Sequence, residues 1–316
     1  MKRQLIFGLL GLCLLLPTLA STASQMATPV VWPVGGTTTP DTMDKPFGFR
    51  ILCGACTDPD DADFHRGIDF NYAHGTPVHA VHSGVVVRVN HGPGYDPDLP
   101  RWGNFVVVAL SPIILPNGVV LQNHKVAYLH LDSVTAGLAV GSQVTRGDAL
   151  GTIGNTGDGI SSTHLHLDYY QGTSDADIHR EEARSPLEIL PHKSVAPTVT
   201  VSKLSNSTLR VTVRQDPTSL DVVRFRVEHD GLSNPHGGDP IVIDFNEKIG
   251  IGMSAPDFED ENPFEGTTFL PKYFNYNSSY YELKLDFDGD WSNLQDVDVT
   301  LTNARDVQFG YSFTLP

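Results

Sequence analysis

Apolar residues along this chain fall into two textures that meet near Pro191–Pro197. Beyond that boundary they alternate with polar ones, first in Val199-Thr200-Val201-Ser202, then in Leu209-Arg210-Val211-Thr212-Val213-Arg214, then in Val223-Arg224-Phe225-Arg226-Val227-Glu228. A strand turns successive side chains to opposite faces, so a period of two predicts antiparallel strands with one buried face. Ile241 to Phe245, Tyr281 to Phe287, Val297 to Leu301 and Gln308 to Leu315 continue the series. Before the boundary, from Pro46 onward, the apolar runs are short and continuous. Val78 to Val89 is a β-branched run around Gly84, and Asn104 to Leu110 reads as a buried strand. Pro116-Asn117-Gly118 turns between Ile113-Ile114 and Val119-Val120, as in a hairpin. Gly141, Gly147, Gly151, Gly154 and Gly157 punctuate further short strands and tight turns. No long helical period occurs; Ala176 to Arg184 predicts only a helical turn before Pro186.

The expected fold class is therefore all-β, with a β-sheet domain over 46–193 and a second domain over 194–316. About seven strands in about 120 residues is the pattern of an immunoglobulin-like β-sandwich, here without cysteines for an inter-sheet disulfide. Residues 24–45 are rich in Thr, Pro and Gly and read as an extended arm. Residues 1–23 have the layout of a secretory signal peptide: Lys2 and Arg3, an uncharged apolar run from Leu5 to Leu16, Pro17, then small residues around Ala20 and Ala23. An uncleaved anchor is the alternative reading. No other long apolar run occurs, so the mature chain is expected to have no membrane span and to be exported, either periplasmic or secreted.

Composition narrows the classes further. Of the 316 residues 40% are hydrophobic and 18% charged, which is globular rather than disordered. The net charge of -16 falls to -18 once Lys2 and Arg3 leave with the signal. Such a surface disfavours nucleic acid and anionic lipid as partners. Acidic runs at Asp257–Glu261 and Asp286–Asp290 make the second domain a poor electrostatic match for an anionic wall, and leave docking of a protein partner, covering of a cleft, or spacing as its roles. Cys53 and Cys56 are expected to pair in an oxidising compartment, a redox couple or half a metal site being the alternatives.

Three segments carry candidate chemistry: Phe64-His65-Arg66-Gly67-Ile68-Asp69-Phe70, Tyr128-Leu129-His130-Leu131, and Thr163-His164-Leu165-His166-Leu167. On a strand His164 and His166 share a face while Leu165 and Leu167 enter a core. Two adjacent imidazoles suit a metal, although two partly exposed surface histidines would read the same way. Asp69, between apolar Ile68 and Phe70, is a carboxylate at the edge of a core and needs a partner, either a metal ion or His65 itself. The glycine-rich run from Gly147 to Gly159 lacks the Gly-Lys-Ser/Thr ending of a phosphate loop. No His-Glu-x-x-His and no Gly-x-Ser-x-Gly occurs. His79 and His82 read as surface positions, and His192 has no partner motif.

Taken in order, these segments resemble the lysostaphin-type, or β-lytic type, zinc metallopeptidases that act as bacterial cell-wall endopeptidases. That family has His-x-Gly-x-Asp, then Tyr-x-His-Leu, then His-Leu-His. The intervening pieces are also here: Gly75-Thr76-Pro77-Val78, Gly103-Asn104-Phe105-Val106, and Gly151 to Gly157 ahead of the last motif. The resemblance spans roughly Pro46 to Leu190 and implies a lysostaphin-type β-sheet peptidase domain holding one Zn2+ per chain. It implies His65, Asp69 and His166 as zinc ligands, His130 and His164 as catalytic histidines beside the metal, and peptidoglycan stem peptides or cross-bridges as substrate. A secreted peptidase acting on Gly-rich proteins and an inactive relative that activates a wall amidase are the alternatives. The sequence departs from the family at Ser162-Thr163, where Gly-Pro is frequent, at Leu167-Asp168, where Phe-Glu is usual, and at Leu110, where a His often stands. The loops His91–Arg101 and Leu110–Val126 are longer than usual, which bears on substrate preference.

Overall fold

The computed structural model describes residues 30–35, 43–51, 62–92, 96–115, 118–172, 182–216, 219, 221–230, 240–246, 269–277 and 280–316. The expected signal peptide, the Cys53–Cys56 pair and the run Asp257–Glu261 lie outside the described residues.

The architecture is all-β, as the patterning predicts. Before the boundary come β1 (Met43–Lys45), β2 (Gly48–Ile51), β3 (Ala62–His65), β4 (Gly67–Phe70), β5 (Pro77–His79), β6 (Gly84–Asn90), β7 (Asn104–Leu110), β8 (Ile113–Ile114), β9 (Val120–Leu121), β10 (His124–Val134), β11 (Gln143–Val144), β12 (Ala149–Ile153), β13 (Leu165–Gln171) and β14 (Ala183–Arg184). The main sheet runs β1-β4-β13-β10-β7-β6-β11, with β12 bridging β10 and β5 and with β14 on β13; the pairings are antiparallel. Its centre is apolar: Ile68, Phe70, Phe105 to Val108, Val126 to Tyr128, Leu165 and Tyr169 are all fully buried. The hairpin around Gly118 forms one residue later than expected, with Ile114 opposite Val120. At its closed end Leu115 N–H donates to the Val119 carbonyl. The expected helical turn lies partly outside the described residues, and its end, Ala183–Arg184, is a strand because β13 offers it an open edge at Tyr169 and Tyr170.

Part of the extended arm is packed rather than free. Val31 N–H donates to the Val81 carbonyl at 2.9 Å and His79 N–H to the Pro33 carbonyl at 2.8 Å. Trp32 and Val34 are fully buried, with Trp32 edge-on to Phe70 at 6.2 Å. The same region corrects one expectation. His82 is buried, 4% exposed, continuing the inward-packed run Ala80-Val81, where Val81 N–H donates to the Tyr128 hydroxyl at 2.9 Å.

After the boundary lie β15 (Thr198–Ser205), β16 (Thr208–Gln215), β17 (Val222–His229), β18 (Ile241–Asp244), β19 (Phe269–Asn277), β20 (Tyr280–Asp288), β21 (Asp296–Asn303) and β22 (Gln308–Thr314). They form two four-stranded antiparallel sheets, β15-β16-β20-β19 and β18-β17-β21-β22. Lettered in chain order as A, B, C, C′, D, E, F and G, these are the orders A-B-E-D and C′-C-F-G of an immunoglobulin-type arrangement. Alternate residues are buried as the period of two demands: Leu209, Val211, Val213, Leu283, Leu285 and Phe287 in one sheet, Val223, Phe225, Val227, Val297, Val299 and Leu301 in the other. Strand β19 was not expected. It carries Pro271, and a proline is tolerated there because β19 is an edge strand.

Candidate metal centre

Three neighbouring strands build the site. On β13, His166 stands opposite Asp69 of β4 on one side and opposite Leu129 of β10 on the other. Because β4 and β13 pair in register, Gly67 faces Asp168. A Cβ on Gly67 would lie 2.2 Å from the Leu167 carbonyl oxygen and 2.5 Å from Asp168 Oδ1, so only glycine lets the strands close here. His65 ends β3 one residue before β4 begins, and its ring reaches Asp69, four residues further on.

Nε2 of His65 lies 3.1 Å from Asp69 Oδ1 and 3.0 Å from His166 Nδ1, and the latter two atoms are 2.8 Å apart. Together these three atoms make a group that could hold a metal ion. The far nitrogen of each histidine fixes its tautomer. His65 Nδ1–H donates to the Pro46 carbonyl at 2.7 Å, and a carbonyl can only accept. His166 Nε2–H donates to Asp168 Oδ1 at 2.6 Å, and Asp168 is steadied by the Tyr170 hydroxyl donating to Oδ2 at 2.7 Å. The two remaining ring lone pairs therefore point, with a carboxylate oxygen, at one another. That convergence is unfavourable unless a cation or a proton sits among them. Zinc–ligand bonds of ~2.0–2.1 Å in a tetrahedron place ligand atoms about 3.3 Å apart, a few tenths more than here. The set thus fits zinc: nitrogen and oxygen donors, three in number, each imidazole held through its outer nitrogen by an acceptor.

The electrostatics agree. Burial alone would raise Asp69, but His65 and His166 hold its carboxyl well below the usual carboxylate range. Burial opposes a charge on His166, yet Asp168 and Asp69 raise it from 6.5 to about 10. Asp168 is likewise lowered, against its burial, mainly by His166. The pocket is therefore an anionic cradle that holds a proton when nothing else neutralises it.

His130 and His164 close the group. Their ring centroids are 4.8 Å apart, and His130 lies 5.7 Å from His166. His130 is one of three non-glycine residues with positive φ among those described, at +62°. The register of β10 against β7 shifts between Tyr128 and Leu131, so this bulge re-aims the His130 side chain out of the strand pattern. Left-handed backbone at a non-glycine residue is strained by about 1–3 kcal/mol and concentrates at functional sites. His130 Nδ1–H donates to the Thr156 carbonyl at 3.1 Å, which leaves Nε2 as an acceptor. Burial, then His166 and His164, push His130 from 6.5 to about 3, so it is neutral at ordinary pH. His164 Nδ1–H donates to the Ser162 carbonyl at 2.9 Å, and its Nε2 is 3.8 Å from Asp69 Oδ1.

All five residues picked from the motifs are thus brought together. The Gly-Asn and Asn-Thr pieces serve as scaffold: Thr156 Oγ1 accepts from Asn104 N–H and donates to the Leu131 carbonyl, which fixes the carbonyl that orients His130. Sequence reasoning missed Asp168, noted only as a departure from a usual Glu. Its signal was in plain sight, since His164, His166, Asp168 and Tyr170 recur at every second position and so share a face.

Residues 63–178 match the model of Peptidase family M23, and this segment contains the five residues and Asp168. The resemblance to lysostaphin-type zinc metallopeptidases stands on that match. Among solved structures the chain is similar to LytU, at 26% identity over 46% of this chain and 80% of that one, with a TM-score of 0.34. It is similar to the catalytic domain of the antimicrobial peptidase lysostaphin from Staphylococcus simulans, at 24% identity over 46% and 89%, TM-score 0.32. A zinc-containing peptidase from Vibrio cholerae is similar at 23% identity over 45% and 41%, TM-score 0.28. No curated protein matches the chain. Among the described residues no helix is long and apolar enough to cross a membrane.

Proposed function

We propose that the chain is an exported zinc-dependent endopeptidase that hydrolyses peptide bonds in peptidoglycan stem peptides or cross-bridges. One observation carries the reading: two imidazole lone pairs and a carboxylate oxygen converge within about 3 Å of one another with both outer nitrogens already engaged. His65, Asp69 and His166 are the zinc ligands in this scheme. A bound zinc ion supplies Lewis-acid polarisation of the scissile carbonyl and of the attacking water. His130, held neutral and with Nε2 as an acceptor, shares the acid–base work with His164 by accepting a hydrogen bond from the attacking water and orienting it. His164, whose Nδ1–H is committed to the Ser162 carbonyl, presents Nε2 as an acceptor beside Asp69; it takes the proton of the attacking water there and, once protonated, gives that proton to the leaving amine. Asp168 keeps His166 turned with Nδ1 toward the metal. A complete donor set favours an enzyme over an inactive activator of another wall hydrolase.

The remaining domain readings belong to the same proposal: a peptidase domain over 46–193, an immunoglobulin-like accessory domain over 194–316 with a protein partner open to it, and export on the signal at 1–23. The test is zinc content and hydrolysis of a soluble wall peptide by the purified chain. About one zinc per chain is expected, with hydrolysis lost to a chelator and both zinc and hydrolysis lost in Asp69→Ala. An Asp69→Ala variant that keeps its zinc and its activity sinks the ligand assignment.

A further inference from the structure

Phe245 follows β18 in the C-terminal sandwich, yet its ring belongs to two cores. It lies 5.3 Å from Phe225 of the sandwich and 6.4 Å, edge-on, from Phe64 of the peptidase domain. It is almost fully buried, 5% exposed. On the peptidase side it packs onto Gly48. A Cβ there would come 2.5 Å from Phe245 Cδ2 and 2.6 Å from Cε2, and Gly48 has φ of +114°, a conformation that favours glycine.

Gly48 is the direct strand partner of His65, as Phe49 is of Phe64. Two residues earlier, the Pro46 carbonyl accepts the His65 Nδ1–H bond, and Phe47 packs edge-on to Phe64 at 5.2 Å. The segment Pro46–Gly48 is therefore held between His65 on one side and the Phe245 ring on the other. The sandwich is also pinned against the boundary segment. Arg305 donates to the Leu190 and His192 carbonyls, His192 Nε2 meets Asp221 Oδ2 at 2.8 Å, and Asn303 Nδ2 donates to Ser194 Oγ at 2.8 Å. Next to Phe245, Asn246 Oδ1 accepts from Ser185 N–H at 3.3 Å. These ties fix where the Phe245 ring sits.

We propose that Phe245 is a positioning residue for the metal centre, acting through Gly48 and Pro46 to hold His65 Nε2 toward Asp69 and His166. The inference rests on the zinc reading above. It makes the sandwich part of the wall that orients a ligand, not a detachable module.

The experiment compares the full chain with Phe245→Ala, Phe245→Leu, Gly48→Ala and the Gly48→Ala/Phe245→Ala double variant. The readouts are zinc affinity by chelator competition, the visible absorption of the cobalt(II)-substituted protein, and thermal melting as a control for folding. Phe245→Ala should weaken zinc by roughly tenfold or more, as loss of a ligand's supporting group does, and should shift the cobalt spectrum. Phe245→Leu, which keeps both cores apolar and stays folded if the alanine variant does not, should weaken zinc by an intermediate factor. In the double variant the ring that meets the new Cβ is gone, so the two losses should be less than additive. A folded Phe245→Ala or Phe245→Leu with native affinity and native cobalt spectrum, merely lower melting, overturns the proposal. A native chain that binds no zinc overturns the proposal and the zinc reading together.

Discussion

Asp168→Asn tests the site where the structure adds most to the motifs. The carboxylate is buried, 2% exposed, and accepts from two donors, His166 Nε2–H at 2.6 Å and the Tyr170 hydroxyl at 2.7 Å. An asparagine has one oxygen to offer, so one of the two donors loses its acceptor and the new amide faces a donor. Loss of such a supporting carboxylate typically weakens metal binding 10- to 100-fold, about 1.4–2.7 kcal/mol. A proton count sharpens the test. In the metal-free protein His166 is raised to about 10, so at pH 8 zinc must displace close to one proton from it. Without the Asp168 charge that raised value falls, and the protons released at pH 8 should fall clearly below one. Calorimetric titration of zinc in buffers of different ionisation enthalpy reads affinity and proton release together. The sign also holds for stability of the metal-free chain. A histidine raised from 6.5 to about 10 contributes stability that is full below pH 6.5 and fades as pH rises through about 10. A variant that binds zinc within twofold of native and releases the same number of protons refutes the role given to Asp168.

Two further outcomes follow from the geometry. His130→Ala should keep its zinc but lose turnover by roughly 10²-fold or more, the range of lost acid–base help; metal analysis beside steady-state kinetics checks this, and loss of zinc would make His130 a ligand instead. Glu188 has a buried Oε2 with no hydrogen-bond partner among the described residues, and burial raises it from 4.5 to about 7, with Arg184 opposing and Asp306 adding. The folded state therefore holds more protons than the unfolded one between those values, and stability falls as pH rises through that window. Glu188→Gln should be more stable than native at pH 8 by on the order of 1–3 kcal/mol and little different at pH 5 by urea unfolding; equal pH profiles would show the carboxylate is solvated.

Much of this fold was legible because its strands are short, β-branched and separated by glycine. Asn104–Leu110 was bounded correctly since six apolar residues follow Asn104 and the run lies between Gly103 and Ser111. The sandwich was legible from period two alone, except β19, where Pro271 and clustered aromatics hide the alternation. What sequence could not supply was partnership across the chain. His192 has no motif, yet it is buried against Asp221, 29 residues away, because the boundary segment folds back onto the sandwich. The boundary segment shows no partner in the sequence for the same reason, yet Arg305 holds the Leu190 and His192 carbonyls and Asn303 holds Ser194. The bulge at His130 is equally invisible: nothing in Tyr128-Leu129-His130-Leu131 announces a left-handed backbone, since the shift shows only in the pairing of β10 with β7.

The central claim, a zinc-dependent peptide hydrolase of the cell wall, is tested most directly by mass spectrometry of fragments released from purified peptidoglycan. The native chain should release stem-peptide or cross-bridge fragments with new amino and carboxyl ends, suppressed by a chelator, restored by zinc, and absent with His166→Ala. Peptidoglycan left intact by the zinc-loaded chain, or cut equally by His166→Ala, would contradict the account.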